Sequence, residues 1–286
     1  MDGYDSEAVR RYFDTLGQGE WERLERDLRG KISYLIHWRL LLAQVKPGVR
    51  ALDVGCGPGR FALDMLEAGA RVTLVDLSPV QLSMAKERVS AAGKEVDDAV
   101  LADVCDLGCF PDGAFGLTVA YGGVLSYTRE RHGTALDELV RVTVPEGVVL
   151  LSVMPLGGTM RLLAPLDAAG FLEEWEGNME WDLREPPPGF VLTPPGSGEW
   201  HQPLALFTAR YLKGEFARRG CEVLTVAAAS PIATLFPMPK VEASPVASER
   251  LIALEVALSD VPELAESGMH MVVVARKSGA AGEGRR

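Results

Sequence analysis

Cysteine is scarce in this chain, with four residues among 286, at Cys56, Cys105, Cys109 and Cys221. None forms a C-x-x-C pair and none has zinc-finger spacing, so neither a disulfide framework nor a structural zinc site organises the fold. The thiols read as small buried or incidental groups. That fits a reducing compartment, and the expected location is cytoplasmic, with no metal site. Positive charge is also short: 29 Lys and Arg stand against 40 Asp and Glu, a net charge of −11. An anionic surface repels phosphate backbones, which disfavours nucleic acid as a partner. Apolar runs long enough to span a bilayer are missing. Met1 to Arg11 is mostly charged and polar rather than an apolar leader, so no membrane partner is expected. Internal repeats are absent as well. What is present is ordinary for a globular protein, with 47% hydrophobic and 24% charged residues. The length suits one large domain, or one domain with a lid.

The chain is organised around Ala51-Leu52-Asp53-Val54-Gly55-Cys56-Gly57-Pro58-Gly59-Arg60. A short apolar run carries an acid and ends in three glycines spaced two apart, and the amphipathic stretch Phe61 to Leu66 follows at once. The pattern predicts strand, tight turn and helix. Glycines allow positive φ and let a ligand approach the backbone, while the start of the new helix offers free N–H groups. Dinucleotide enzymes use G-x-G-x-x-G in such a turn. Here the spacing is G-x-G-x-G, and Arg60 stands at the third glycine position of the dinucleotide pattern.

Asp53-x-Gly55-x-Gly57-x-Gly59 resembles the first motif of the class I S-adenosylmethionine (SAM)-dependent methyltransferases. The rest of the chain supports the resemblance. A second strand, 71–75, ends at Asp76, one strand–helix–strand unit beyond Gly55, which is the usual separation from glycine turn to ribose-binding acid. Ser78-Pro79 then caps the next helix. Leu101-Ala102-Asp103-Val104 is similar to the family's third motif, whose acid meets the adenine amino group. Asp106 competes for that role, but Asp103 lies at the strand's carboxyl end, where open α/β sheets bind ligands. Phe110 to Gly116 is a Pro-Asp-Gly turn into a fourth strand, 117–121, and Val144 to Leu151 is a turn into a buried fifth. The implied fold is a doubly wound, mostly parallel, seven-stranded Rossmann-like α/β sheet. Its last strand, 269–275, inserts antiparallel between strands five and six.

Three regions follow from this: an N-terminal helical cap over 1–47, a SAM-binding domain over 48–277 with a flap insertion at about 155–203, and a disordered tail at 278–286. The cap reads as two helices. Its aromatic stripe of Tyr12, Phe13 and Trp21 either packs as core or covers the cofactor cleft. The flap is rich in proline and carries Trp175, Trp181 and Trp200 beside a run of glutamates. Such a long loop in a compact domain is functional or disordered. Aromatic and acidic groups together suit a cationic or aromatic substrate.

The resemblance implies SAM as cofactor and a cofactor set of Asp53, Gly55, Cys56, Gly57, Gly59, Asp76, Leu77, Asp103, Val104 and Tyr121. Arg60, Arg10 or Arg39 is expected to hold the cofactor carboxylate. Substrate contacts are expected from Tyr12, Trp175, Trp181 and Trp200. The catalytic candidates are His201, as general base, and Tyr127; His37, His132 and His270 lie in a helix stripe, a helix start and the last strand. No Asn-Pro-Pro-Tyr, Asp-Pro-Pro-Tyr or Pro-Cys motif follows strand four, so the expected acceptor is a small molecule methylated on nitrogen or oxygen. An RNA-modifying methyltransferase, a non-catalytic SAM-binding protein and an NAD-type oxidoreductase remain as alternatives.

Overall fold

The computed structural model describes residues 3–163, 190–192 and 204–279. Seven strands form one sheet: β1 (Arg50–Val54), β2 (Arg71–Asp76), β3 (Asp98–Leu101), β4 (Phe115–Ala120), β5 (Thr143–Val153), β8 (Cys221–Ala229) and β9 (His270–Lys277). Their order is β3-β2-β1-β4-β5-β9-β8. The first five run parallel, and β9 is antiparallel to both β5 and β8. The order reverses between β1 and β4, and a doubly wound sheet binds its ligand at the carboxyl ends beside such a reversal. The expected architecture, including the inserted last strand, is the observed one.

Both faces of the sheet are buried, so its central strands read as continuous apolar runs rather than as alternating ones. On one face Leu52, Val54 and Leu151 pack with Leu136 and Leu139 of α7 (His132–Val142) and Phe216 of α9 (Ala209–Arg218). On the other, Ala51, Leu74 and Val119 meet Ile32 and Ile36 of α3 (Leu28–Leu42), Met65 of α4 (Arg60–Glu67) and Ala85 of α5 (Pro79–Ala91). Each fully buried aliphatic side chain contributes about 1.5–3 kcal/mol relative to exposure, so these two layers hold the strand ends in place.

Several helices begin on a side-chain cap. Asp5 accepts from Glu7 and Ala8 at the start of α1 (Ser6–Leu16), Asp27 from Gly30 at α3, Ser78 from Gln81 at α5, and Thr208 from Tyr211 at α9. Pro79 follows Ser78, its fixed φ and missing N–H suiting the first turn.

Residues ahead of β1 form three helices, not two. A short α2 (Gln18–Glu22) separates α1 from α3, because Gly17 at φ 47° breaks the chain direction after α1. A four-residue α6 (Val124–Tyr127) follows β4, and α8 (Leu156–Leu163) follows β5. Residues 164–189, within the expected flap insertion, lie outside the described residues. A separate hairpin pairs β6 (Phe190–Leu192) with β7 (Leu204–Leu206). The proline-bearing connection after β8 holds a short α10 (Met238–Glu242), and α11 (Pro245–Ser259) leads on towards β9.

Candidate cofactor cleft

A cleft with about 650 Å³ of empty space, its open mouth included, lies at the carboxyl ends of β1, β2, β3 and β4. Gly55 and Gly57 form its floor, Asp76 and Leu77 one side, Asp103 and Val104 another, and Tyr121 and Gly122 the end beneath β4. Asp53 and Cys56 line an adjoining pocket on the far side of the glycine turn.

The turn is built by hydrogen bonds as well as by glycine. Cys56 N–H donates to the Val75 carbonyl at 3.0 Å, tying the turn to β2. Asp76 Oδ2 accepts from Gly57 N–H and Oδ1 from Ser78 N–H, both at 2.8 Å. One carboxylate thus fixes both the glycine turn and the entry to α5, and each oxygen keeps a lone pair for a ligand. Burial pushes Asp76 up to about 6, with the two N–H donors pulling the other way. Asp53 is pushed up to about 7, first by burial and then by the charges of Asp76 and Asp64. Its Oδ2 is buried without a hydrogen-bond partner. An orphaned acid oxygen beside a glycine turn is the kind of group that a bound ammonium or hydroxyl satisfies.

Two of the three glycines face the cleft, and the third does not. At Gly57, with φ 51°, an added Cβ would meet only Glu20 Cγ at 3.8 Å, so the space above it is open. At Gly59, with φ 86°, an added Cβ would lie 3.0 Å from Ala85 Cβ and 3.1 Å from its Cα. Gly59 lines neither pocket. It lets α4 pack closely against α5.

Asp103 Oδ1 accepts from Cys105 N–H at 2.8 Å and Oδ2 from the Tyr4 hydroxyl at 3.0 Å. Burial and the Asp103 charge push the Tyr4 phenol up, so it stays a donor. Asp106 is used locally, accepting from Gly108 N–H, and does not line the cleft.

The N-terminal segment covers the opening. Ser78 Oγ donates to Asp14 Oδ1 at 2.5 Å. Gln81 Nε2 donates to the Phe13 and Gly17 carbonyls at 2.9 and 3.1 Å. Above the β4 end, Val9, Phe13, Tyr127, Leu204, Leu206 and Met154 form an apolar cluster that Tyr12 joins. Phe13 meets the Tyr127 ring edge-on at 5.1 Å, and Tyr12 lies 6.4 Å from it. Of the two, Tyr127 lines the cleft and Tyr12 stands behind it.

Each of the three expected arginines has a carboxylate partner within the protein. Arg60 stacks on Trp21 and pairs with Glu25, Arg10 pairs with Glu7 and Asp14, and Arg39 pairs with Asp260. Arg60 lines the adjoining pocket beside the turn, and so does a cation outside the expected set, Arg23, just past α2 and held by Glu20. Sequence reasoning missed it because it belongs to no motif. Its one signal is the i, i+3 pairing with Glu20. None of the described histidines lines the cleft. His37 is buried against Tyr121, Phe61 and His270, and burial lowers it to about 4. His132 bonds the Tyr211 hydroxyl. His201, Trp175, Trp181 and Trp200 lie outside the described residues.

This fold, a seven-stranded sheet with a glycine turn between two strand-end acids, is shared with solved methyltransferase structures. Residues 52–151 match the family model of a methyltransferase domain. It is 34% identical over 116 residues to a malonyl-[acyl-carrier protein] O-methyltransferase of Serratia marcescens, which covers 41% of this chain and 42% of that protein. It is 36% identical over 126 residues to a demethylmenaquinone methyltransferase of Thermus thermophilus, covering 42% and 55%. The chain thus spans about half the length of these relatives, or less. The structure of magnesium protoporphyrin IX methyltransferase from Synechocystis PCC 6803 with bound S-adenosylhomocysteine superposes with a TM-score of 0.59, covering 96% of this chain and 99% of that one at 14% identity. At that identity the likeness speaks for the fold.

Proposed function

We propose that this protein transfers a methyl group from SAM to an oxygen or nitrogen of a small molecule. The observation that carries the reading is the pair of strand-end acids, Asp76 and Asp103, flanking the Gly55–Gly57 turn in one cleft. The donor set fits a nucleoside. Asp76 has lone pairs for two ribose hydroxyls, and Asp103 has one for an exocyclic amine. Leu77 and Val104 offer apolar faces to a base. Asp53, Cys56 and Tyr121 lie towards the far end, where the orphaned Asp53 oxygen suits an ammonium.

When bound, SAM supplies a methyl group that is already activated, so no covalent enzyme nucleophile is required. The chain's task is orientation and exclusion of water, and orientation alone is worth about 7–11 kcal/mol. Residues 1–47 act as a cap that closes the cleft, and the apolar cluster around Phe13 and Tyr127 receives the acceptor. Residues 48–277 form the SAM-binding domain proper. An acceptor oxygen that is already ionised needs no base, and the O-methyltransferase names among the relatives lean the same way. The net charge of −11 weighs against RNA. Among the described residues no helix is long and apolar enough to cross a membrane.

The test uses SAM carrying a labelled methyl group with a panel of carboxylates, phenols and amines. Label appears in a panel member with equimolar S-adenosylhomocysteine, and Asp76→Ala abolishes it. Label in RNA with none in the panel would favour the RNA-modifying reading.

A further inference from the structure

Above the far end of the glycine turn, α2 and the residue after it place two opposite charges. Glu20 Oε1 accepts from Arg23 Nε at 3.0 Å and from Nη2 at 2.5 Å, and Oε2 accepts from Nε at 3.0 Å. Each charge stands over one bank of the cleft. A Cβ placed on Gly57 would lie 3.8 Å from Glu20 Cγ, and one placed on Gly122 would lie 3.8 Å from Arg23 Nη2. Both side chains line the pocket that holds Asp53, Cys56 and Tyr121. Neither is sealed off, with side-chain exposures of 15% for Glu20 and 37% for Arg23.

The residue between them explains why α2 stays there. Trp21 is clasped between two guanidiniums, with Arg60 at 3.5 Å and Arg88 at 4.5 Å from the ring centroid. Arg60 Nη2 also donates to the Trp21 carbonyl at 3.3 Å and pairs with Glu25 at 2.7 Å. Arg88 donates to the Gln18 side chain. A five-residue helix has little stability of its own, so these contacts with α4 and α5 set its position.

We propose that Glu20 and Arg23 form a clamp for the amino-acid end of the cofactor, with Arg23 taking its carboxylate, Glu20 and Asp53 taking its ammonium, and Trp21 positioning both. The inference rests on the SAM reading above and assigns residues that lie outside the glycine motif. Paired with each other, the two side chains are compensated when no ligand is present. A zwitterion brings one charge of each sign, so its entry leaves neither residue unpaired. A guanidinium can also grip a carboxylate through two parallel N–H bonds.

The experiment titrates the full chain with S-adenosylhomocysteine, with its decarboxylated analogue, which keeps only the ammonium, and with methylthioadenosine, which has neither charge. Arg23→Gln weakens S-adenosylhomocysteine by about 10- to 100-fold, the range of a hydrogen bond to a charged group, and leaves the other two ligands unchanged. Glu20→Gln weakens the two ligands that carry the ammonium and spares methylthioadenosine. Trp21→Ala weakens S-adenosylhomocysteine while sparing methylthioadenosine, and Trp21→Phe restores most of the loss. Equal effects of Arg23→Gln on all three ligands, or none on any, would overturn the clamp while leaving the cofactor intact. If the unaltered protein binds none of the three, the cofactor reading itself fails.

Discussion

At the scale of single residues, the cleft stores carboxylates where water is scarce. Asp53 and Asp76 are held up at about 7 and about 6 when no ligand is bound, above an ordinary carboxylate near 4. Over that interval the folded chain binds more protons than the unfolded one, so these groups make stability fall as pH rises from about 4 to about 7. Asp53→Asn removes the larger share. Thermal melts of the ligand-free protein at pH 5 and pH 8 are expected to show a smaller loss of Tm for the variant, with the variant the more stable at pH 8. An identical pH dependence in both proteins would mean that Asp53 is not buried as a costly charge. Binding has the opposite sense. In the proposed role Asp76 must be ionised to accept from two ribose hydroxyls, so cofactor affinity is expected to weaken as pH falls through about 6.

The same scale shows what a motif can hide. Asp53, Gly55, Gly57 and Asp76 were legible because strand, turn and helix leave a local pattern at fixed spacing. Arg23 was not, because its value arises from α2 folding back over the turn, a contact between segments that no local pattern records. Tyr4 was missed for the same reason, its hydroxyl reaching Asp103 across 99 residues of sequence.

At the scale of elements, the turn splits into a ligand-facing half and a packing half. Any side chain at Gly57 or Gly59 must adopt positive φ, at a cost of roughly 1–2 kcal/mol. Beyond that cost the two positions diverge. Gly59→Ala pushes Ala85 away and separates α4 from α5, so Tm falls by several degrees more than in Gly57→Ala. Gly57→Ala instead places a methyl in open cleft space and costs cofactor affinity more than stability. Melting curves and titrations of the pair check this, and a larger stability loss in Gly57→Ala would contradict the division.

Element boundaries followed the sequence where caps and punctuation were strong, as at Ser78-Pro79 for α5 and Gly69 before β2. They departed where tertiary pairing extends an element. β5 begins at Thr143, ahead of the turn expected from Val144, because Phe115 of β4 pairs with it there. α11 begins at Pro245 because Ser244 caps it by accepting from Ala247 N–H.

At the scale of the whole molecule, the sheet order brings together acids that lie far apart in the chain. Asp53, Asp76 and Asp103 sit at or just beyond the ends of β1, β2 and β3, and parallel pairing in register aligns those ends. The N-terminal segment is tied to the cleft by bonds from Ser78 and Gln81 to residues of α1 and its C-cap and from Tyr4 to Asp103. The architecture was therefore readable once one turn had been recognised, since a doubly wound sheet leaves few topologies to choose among. The proposed acceptor site was not, because the apolar cluster offered for it draws on α1, α6 and β7 together and carries no fixed spacing.

The most direct test of the account is a calorimetric titration of the full chain with S-adenosylhomocysteine, run beside Asp76→Ala and beside NAD. The account predicts micromolar binding of S-adenosylhomocysteine, its loss in Asp76→Ala, and no comparable binding of NAD. Tight NAD binding with no response to S-adenosylhomocysteine would contradict it.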